Sequence, residues 1–126
     1  MVWKIDFHQE FALEFKEYED TIRLEIMAIV ELLREEGPSL GRPHVDTLQG
    51  SRHANMKELR CRGACKTWRV AFAFTPERTA LLLAAGDKSR MKSKRFYRWL
   101  VTTAEKRFDE FLKEATEKEA TSDDSA

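Results

Sequence analysis

The first third of the chain changes from an alternating pattern to a helical one. Apolar and charged residues alternate over residues 2–7, which predicts a half-buried strand. Phe11 and Phe15 are four positions apart and begin a short helix, and Asp20 is a candidate N-cap for a second. The apolar face of that second helix carries Ile22, Ile26, Ile29 and Leu33. The helix should end at Gly37, which a proline follows.

The middle of the chain predicts a loop and then three strands. Residues 39–54 contain glycine and proline without a sustained period, so they are predicted to form an ordered loop. Strand character returns near Met56, and turns at 63–66 and 75–78 divide the segment from Met56 to Gly86 into three strands. The last of these strands, residues 80–85, is apolar at every position.

The last part of the chain predicts one long helix and a tail. The helical period resumes near Ser93, and its apolar face carries Phe96, Leu100, Ala104, Phe108 and Phe111. Residues 116–126 lack aromatic side chains and are predicted to be a disordered tail after a single domain of residues 1–115. The predicted fold class is α+β: an N-terminal strand, two helices, a three-strand meander and a C-terminal helix. The sheet should be mainly antiparallel, with helices on one face.

The first predicted hairpin has one register that keeps its apolar side chains on the core face. That register sets Leu59 opposite Val70 and therefore Arg60 opposite Arg69, on the solvent-facing side and near Glu58. Like charges facing each other across strands are unfavourable. The two guanidinium groups are therefore a candidate phosphate site, since guanidinium binds phosphate in a bidentate manner. The alternative is a solvated charged face without function.

The net charge is zero, but the charges are segregated along the chain. Residues 1–40 contain ten acidic and four basic side chains, and residues 41–98 contain four acidic and fourteen basic ones. A basic patch of this kind attracts polyanions. The alternative is that acidic helices neutralise a basic sheet. The basic and aromatic candidates for RNA binding around the arginine pair are Arg52, Arg62, Arg90, Lys92, Lys94, Arg95 and Tyr97.

Cleavage of RNA without a metal needs a base, cations near the phosphate and an acid. His53, Lys57 and Lys88 are the candidate catalytic residues beside Arg60 and Arg69, although a histidine in a loop is often structural. No metal or cofactor is predicted, because Cys61 and Cys65 with three scattered histidines are poor zinc ligands. The two cysteines are interpreted as reduced thiols.

No apolar stretch approaches the length of a membrane span, and the first residues do not resemble a signal peptide. The sequence therefore predicts a cytoplasmic protein without a membrane partner.

The run of residues 37–60, with the later 68–70, 72–74 and 86–88, resembles the phage-derived HigB-like branch of the RelE toxin superfamily. The resemblance covers residues 2–113. It implies a RelE-like fold and a toxin of a type II toxin–antitoxin system that cleaves messenger RNA in the ribosomal A site. The implied partners are mRNA, the 70S ribosome and a HigA-like helix-turn-helix antitoxin, with promoter DNA bound only through the toxin–antitoxin complex.

The resemblance also suggests roles for individual residues. Arg60 and Arg69 match basic positions of the central strands, Lys57 a nearby one, and Lys88 the position after the last strand. Tyr97 is a candidate for the functional residue near the C-terminal end. Two alternatives stay open: a ParE-like toxin that inhibits DNA gyrase by protein contact, and a non-catalytic relic that acts only as a corepressor.

Overall fold

The computed structural model describes residues 2–124, apart from the side chains of Cys65 and of residues 119–124. Five strands and three helices lie within these residues. They are β1 (Lys4–Phe7), α1 (Gln9–Lys16), α2 (Asp20–Glu36), β2 (Val45–Thr47), β3 (Met56–Arg60), β4 (Trp68–Thr75), β5 (Thr79–Asp87) and α3 (Ser93–Asp124). Single 3₁₀ turns occur at Gly37–Ser39, Gly63–Cys65 and Lys88–Arg90.

The strands form one sheet in the order β1-β5-β4-β3-β2. Three of the neighbouring pairs are antiparallel, and β1 runs parallel to β5. The predicted α+β class is therefore confirmed, with a mixed sheet. The strand β2 lies inside the segment predicted to be a loop, so that prediction is wrong for Val45–Thr47. Three residues are too few to show a period, and only the pairing of β2 with β3 makes them a strand.

Both faces of the sheet are covered, which corrects the prediction of helices on one face. One face packs against α1 and α2 through a cluster that includes Phe11, Ile26, Leu33, Leu59, Val70, Phe72 and Leu82. The other face packs against α3 through Met56, Ala71, Ala73, Leu81, Leu83, Phe96, Leu100, Ala104 and Phe108. The apolar face predicted for the last helix therefore belongs to the core. The alanines of β4 allow the helix to approach the sheet closely.

The ends of the first two helices agree closely with their sequence signals. The His8 side chain accepts a hydrogen bond from the Glu10 amide and caps α1. The N-cap of α2 is Glu19, one residue before the predicted Asp20. At its C-terminus Gly37 has φ 58°, and a β-carbon there would lie 2.3 Å from Trp3 Nε1. Both the backbone angle and the indole of Trp3 therefore require glycine at this position.

The last helix extends farther than its apolar face. The backbone of α3 is helical up to Asp124, so residues 116–124 differ from the predicted disordered tail, and residues 125–126 lie outside the described part of the chain. Glu117, Lys118, Glu119 and Ala120 are favourable helix residues, whereas the Thr, Ser and Asp residues that follow are weaker ones. The domain boundary at residue 115 stays a prediction. Among residues 2–124, no helix has the length and apolar character needed to cross a membrane.

Candidate active site

The predicted register of the first hairpin is confirmed. Leu59 pairs with Val70, and Arg60 pairs with Arg69. On the next strand Gly86 faces Arg69. Side chains at these three positions point towards α3, because a β-carbon at Gly86 would lie 2.9 Å from the Trp99 ring. The start of α3 therefore lies over a row that crosses three strands.

The two arginines differ in exposure. The side chain of Arg60 is 37% exposed, whereas residue Arg69 is only 8% exposed. The expectation that both face solvent is therefore wrong for Arg69. The reason is α3, which covers the part of this face nearest β5. Only Arg60 presents its guanidinium group to a ligand arriving from solvent.

Carboxylates hold Arg60 in place. Glu58 lies two residues earlier on the same face of β3, and its Oε1 accepts hydrogen bonds from Arg60 Nε at 3.2 Å and Nη2 at 3.0 Å. Asp46 of β2 lies 3.5 Å from Arg60 Nη2. The hydrogen bonds to Glu58 raise the pKa of Arg60 above its ordinary value, although partial burial opposes them. The guanidinium is therefore a fixed positive charge with a fixed orientation.

Arg69 is held by the hairpin turn. Its Nη1 donates to the carbonyl oxygens of Lys66 at 3.0 Å and Trp68 at 2.9 Å. Its Nε has no hydrogen-bond partner within the described part of the chain, and neither does Oε2 of the nearly buried Glu58. Unpaired buried polar atoms cost stability.

Tyr97, in the first turns of α3, reaches the same place. Burial, followed by the negative charge of Glu58, raises its pKa above the ordinary 10.0, while Arg69 lowers it. The phenol is therefore within hydrogen-bonding reach of Glu58 and Arg69, and it keeps its proton at neutral pH. A protonated phenol beside a guanidinium group can donate a hydrogen bond or a proton.

The structure separates the three candidate bases. Lys88 begins the turn after β5, and its amide donates to the Thr67 carbonyl at 2.9 Å, at the same end of the sheet as Arg69. Lys57 pairs with Phe72, whose side chain belongs to the core under α1 and α2, so Lys57 points to the opposite face. His53 lies elsewhere, against the middle of α3.

His53 and its neighbours form what we call the clasp: residues 51–53 together with Glu105 and Asp109 of α3. Glu105 Oε2 accepts from Ser51 Oγ at 3.1 Å and from the Arg52 amide at 2.7 Å. Arg52 also pairs with Asp109, which lies 3.0 Å from His53 Nε2. Asp109 is twelve residues beyond Tyr97, roughly 18 Å along a helix. Arg52 and His53 are therefore not brought to the arginine pair.

The other predicted RNA-binding residues are exposed around the start of α3. Arg90, Lys92, Lys94 and Arg95 lie in or beside its first turn, and Arg62 lies at the hairpin turn. Arg90 is 3.9 Å from Asp87. Within residues 2–124, no group of three or more His, Cys, Asp or Glu side chains is arranged to hold a metal ion. Cys61 is buried, and the Cys65 side chain lies outside the described part of the chain.

Sequence reasoning gave Glu58 no role, although a signal was available. Residues 58 and 60 share one face of a strand, so a carboxylate at 58 lies next to a guanidinium at 60. Its burial was not foreseeable, because it depends on α3. Asp46, on the unpredicted strand β2, was missed for the same reason as the strand itself.

Comparison with known proteins places the chain in a family. A family model described as phage-derived protein Gp49-like matches residues 13–109. The chain belongs to the Gp49-like family. It is a toxin of the RelE/HigB type, as its relatives show: the protein named toxin HigB3 of Mycobacterium tuberculosis is 42% identical over 87 residues, covering 69% of this chain and 74% of HigB3.

A second relative matches over a shorter segment. The protein named toxin HigB2 of M. tuberculosis is 54% identical to this Gp49-like chain over 66 residues. That segment covers 51% of this chain and 32% of HigB2, so the chain spans about a third of that relative.

Solved structures show the same fold at low identity. A variant of the E. coli toxin RelE in the free state has a TM-score of 0.60 at 15% identity, covering 85% of this Gp49-like chain and 98% of RelE. The archaeal RelE–RelB complex from Pyrococcus horikoshii gives a TM-score of 0.53 at 14% identity, covering 72% of this chain and 100% of the matched chain of the complex. At these identities the likeness is one of fold.

Proposed function

We propose that this RelE/HigB-type toxin is a metal-independent messenger-RNA endoribonuclease that acts on translating ribosomes. The observation that carries the proposal is the arginine pair. Arg60 is partly exposed and fixed by Glu58, and behind it Arg69 Nε and Glu58 Oε2 are buried without hydrogen-bond partners among the described residues. Two guanidinium groups beside a protonated phenol suit a phosphodiester whose negative charge grows during cleavage.

In the proposed reaction the 2′-hydroxyl attacks the adjacent phosphorus, a new P–O bond forms and the bond to the 5′-oxygen breaks. Arg60 contacts the phosphate and stabilises the added charge. Tyr97 donates a proton to the leaving 5′-oxygen, and Arg69 is a positioning residue for its phenol. Lys88 is the candidate base at this end of the sheet and takes up the proton of the 2′-hydroxyl.

Glu58 has a positioning role in this proposal rather than a direct one. Its side chain is 4% exposed, which is too little for contact with a bound ribose while α3 is in place. Its two hydrogen bonds to Arg60 fix the plane of the guanidinium group. A guanidinium group held in one plane can receive two phosphate oxygens without further loss of side-chain entropy.

We further propose that a HigA-like helix-turn-helix antitoxin neutralises the toxin and that the complex represses its own promoter. Support comes from the RelE/HigB class of the chain and from the fold neighbour of P. horikoshii, which was solved as a RelE–RelB complex. The ribosome and mRNA as partners are implied by the proposed reaction.

The test is induced expression of the full chain, with growth followed and cuts in a reporter mRNA mapped by primer extension. Arg60→Ala is expected to lower cleavage by about 10²- to 10³-fold, as loss of a group that stabilises transition-state charge does in other enzymes. Arg52→Ala is the matched control, since it removes the same side chain from the clasp. It should leave cleavage within a few-fold of the parent.

Other outcomes would contradict the proposal in distinct ways. Growth arrest with intact messenger would point to inhibition of gyrase, which a supercoiling assay with purified gyrase would detect. No growth arrest at all would point to a corepressor without catalysis. Cuts that persist in a folded Arg60→Ala protein would show that the arginine pair is not the active site. Cuts made by the purified chain in free RNA without ribosomes, if they disappear with EDTA, would contradict metal independence, since ribosomes themselves need Mg²⁺ and are left out of this assay.

A further inference from the structure

A groove leads away from the candidate active site along the outer side of α3. It lies between the helix and the loop after β2, has a volume of about 380 Å³, and includes Gln49 and Gly50 from the loop. Tyr97 lines its first end and Glu105 its far end. Glu105 is eight positions after Tyr97, roughly 12 Å along the helix. Because Tyr97 lines the groove and also interacts with Glu58 and Arg69, the groove and the site meet at this residue.

The charges in the groove suit an anionic ligand. Lys94 and Arg98 are one helical turn apart, both are exposed, and both line the groove. Within the described residues neither side chain takes part in an ion pair or a hydrogen bond. The carboxylate in the groove, Glu105, already pairs with Arg52 at 3.1 Å and accepts hydrogen bonds from the clasp. Two unpaired cations therefore face the groove, and its negative charge is compensated.

The remaining groups suit a nucleobase. The Tyr97 ring offers a face for stacking, as aromatic residues do in proteins that bind single-stranded RNA. The exposed amide of Gln49 has two donor hydrogens and an acceptor oxygen that match base edges. Gly50 has φ +93° and no atom within 4 Å of the place of a β-carbon, so the loop leaves the groove open.

We propose that this groove binds the nucleotide next to the scissile phosphate of single-stranded RNA. Lys94 and Arg98 contact its phosphate, Tyr97 stacks on its base, and Gln49 reads the base edge and so sets the cleavage-site preference. The inference rests on the proposed ribonuclease function. It adds Gln49 and Arg98 to the residues that contact RNA.

Two measurements test the groove. The first is fluorescence anisotropy of the purified full chain with a labelled 2′-O-methyl RNA of mixed sequence, titrated at several salt concentrations. Removal of one phosphate contact to a single strand makes the slope of log affinity against log salt less negative by about 0.7. We expect this change for Lys94→Gln and for Arg98→Gln. Lys106→Gln is the matched control, an exposed lysine on the same helix but outside the groove, and its slope should equal that of the parent.

The second measurement maps cuts in a reporter mRNA by primer extension. Gln49→Ala should change which bases flank the cuts while the total number of cuts stays within about threefold, since the amide contributes discrimination between bases rather than chemistry. Gln9→Ala, at the exposed start of α1, is its control.

The outcomes separate this inference from the proposed function. If the parent cleaves mRNA but the salt slopes or the base preference of the groove variants equal those of the parent, the groove is not a nucleotide site and the ribonuclease proposal stands. If the parent neither cleaves nor binds RNA, both are wrong. A changed base preference in Gln49→Ala, together with smaller salt slopes in the two cation variants, supports the inference.

Discussion

Charged or polar side chains lie between α3 and the rest of the molecule at both the start and the middle of the helix. The two places differ in how completely these groups are paired. In the middle, the Arg107 Nη1 donates to Glu14 at 2.9 Å and to the Leu83 carbonyl at 2.7 Å, and its Nε lies 3.4 Å from Glu10. The hydrogen bond from Arg107 to Glu14 raises the pKa of Arg107, against the effect of burial. The clasp supplies a second set of pairs on the other side of the helix.

At the start of the helix the pairing is incomplete. Within the described residues, Arg69 Nε and Glu58 Oε2 are buried without hydrogen-bond partners, and the side chains of Lys94 and Arg98 have none either. Paired charges fix a helix in place, whereas unpaired ones reserve hydrogen-bonding capacity for a ligand. The comparison predicts that substitutions at the start of α3 affect activity and that substitutions in its middle affect stability.

The largest effect on activity in this comparison is expected at the phenol. Tyr97→Phe removes the proposed proton donor and keeps the ring, so mRNA cleavage should fall by about 10²-fold. The midpoint of urea unfolding should stay close to that of the parent. Primer extension and circular dichroism measure the two quantities. A fall in stability with intact cleavage would reverse the assignment of the two regions.

A large effect on stability is expected in the middle of the helix. Arg107→Met leaves the buried Leu83 carbonyl without its donor, at a cost of roughly 1–3 kcal/mol in the free energy of unfolding. Lys106→Met, at the exposed position just before Arg107, should change the free energy of unfolding by less than about 0.5 kcal/mol. Urea denaturation checks both variants. Cleavage per folded molecule should equal that of the parent, and a selective loss of cleavage in Arg107→Met would contradict the comparison.

An intermediate effect concerns the pKa of Tyr97. Burial and the charge of Glu58 both raise this pKa, so Glu58→Gln should lower it. Spectrophotometric titration of the phenols at alkaline pH detects the change, because the other tyrosine, Tyr18, titrates at about 12 as a result of burial. Tyr18→Phe assigns the two steps. An unchanged pKa of Tyr97 in Glu58→Gln would show that the two side chains do not interact.

The smallest effect is expected at Asp109 of the clasp. The hydrogen bond with His53 lowers the pKa of this carboxyl; burial opposes it, and the hydrogen bond with Arg52 lowers the pKa further. A lowered pKa in the folded state stabilises the fold at pH values above the ordinary aspartate value of about 3.9, and the contribution is lost as the pH falls through the lowered value. The difference in Tm between the parent and Asp109→Asn should therefore be present at neutral pH and disappear at acidic pH. A difference that is constant with pH would show that charge is not its source.

Much of the fold was available from local patterns. The period of two along β4 and the steps of three and four along α2 reflect the geometry of strands and helices, and they gave both elements nearly to the residue. The pairing of Arg60 with Arg69 was predictable as well, since apolar residues on a strand fix which partner register keeps them inside.

The sequence also contains signals that the second face of the sheet is covered. Residues 80–85 are apolar at every position, as in strands that are buried on both sides. The alternation of Ala71 and Ala73 with larger residues on β4 points the same way, because small apolar side chains suit a close helix. Both signals favour helices on the two faces of the sheet rather than on one.

The composition of the active site was decided by tertiary structure. His53, Lys57 and Lys88 are alike as sequence candidates. The fold places His53 in the clasp, Lys57 on the opposite face of the sheet and Lys88 at the end of β5. The packing of α3 over the arginine row buries Arg69, leaves Arg60 partly exposed and brings Tyr97 to Glu58. Sequence periodicity reports which side chains share a face of one element. Which faces meet, and which charges remain unpaired, depends on contacts between residues far apart in the chain, and a local pattern carries no information about those contacts.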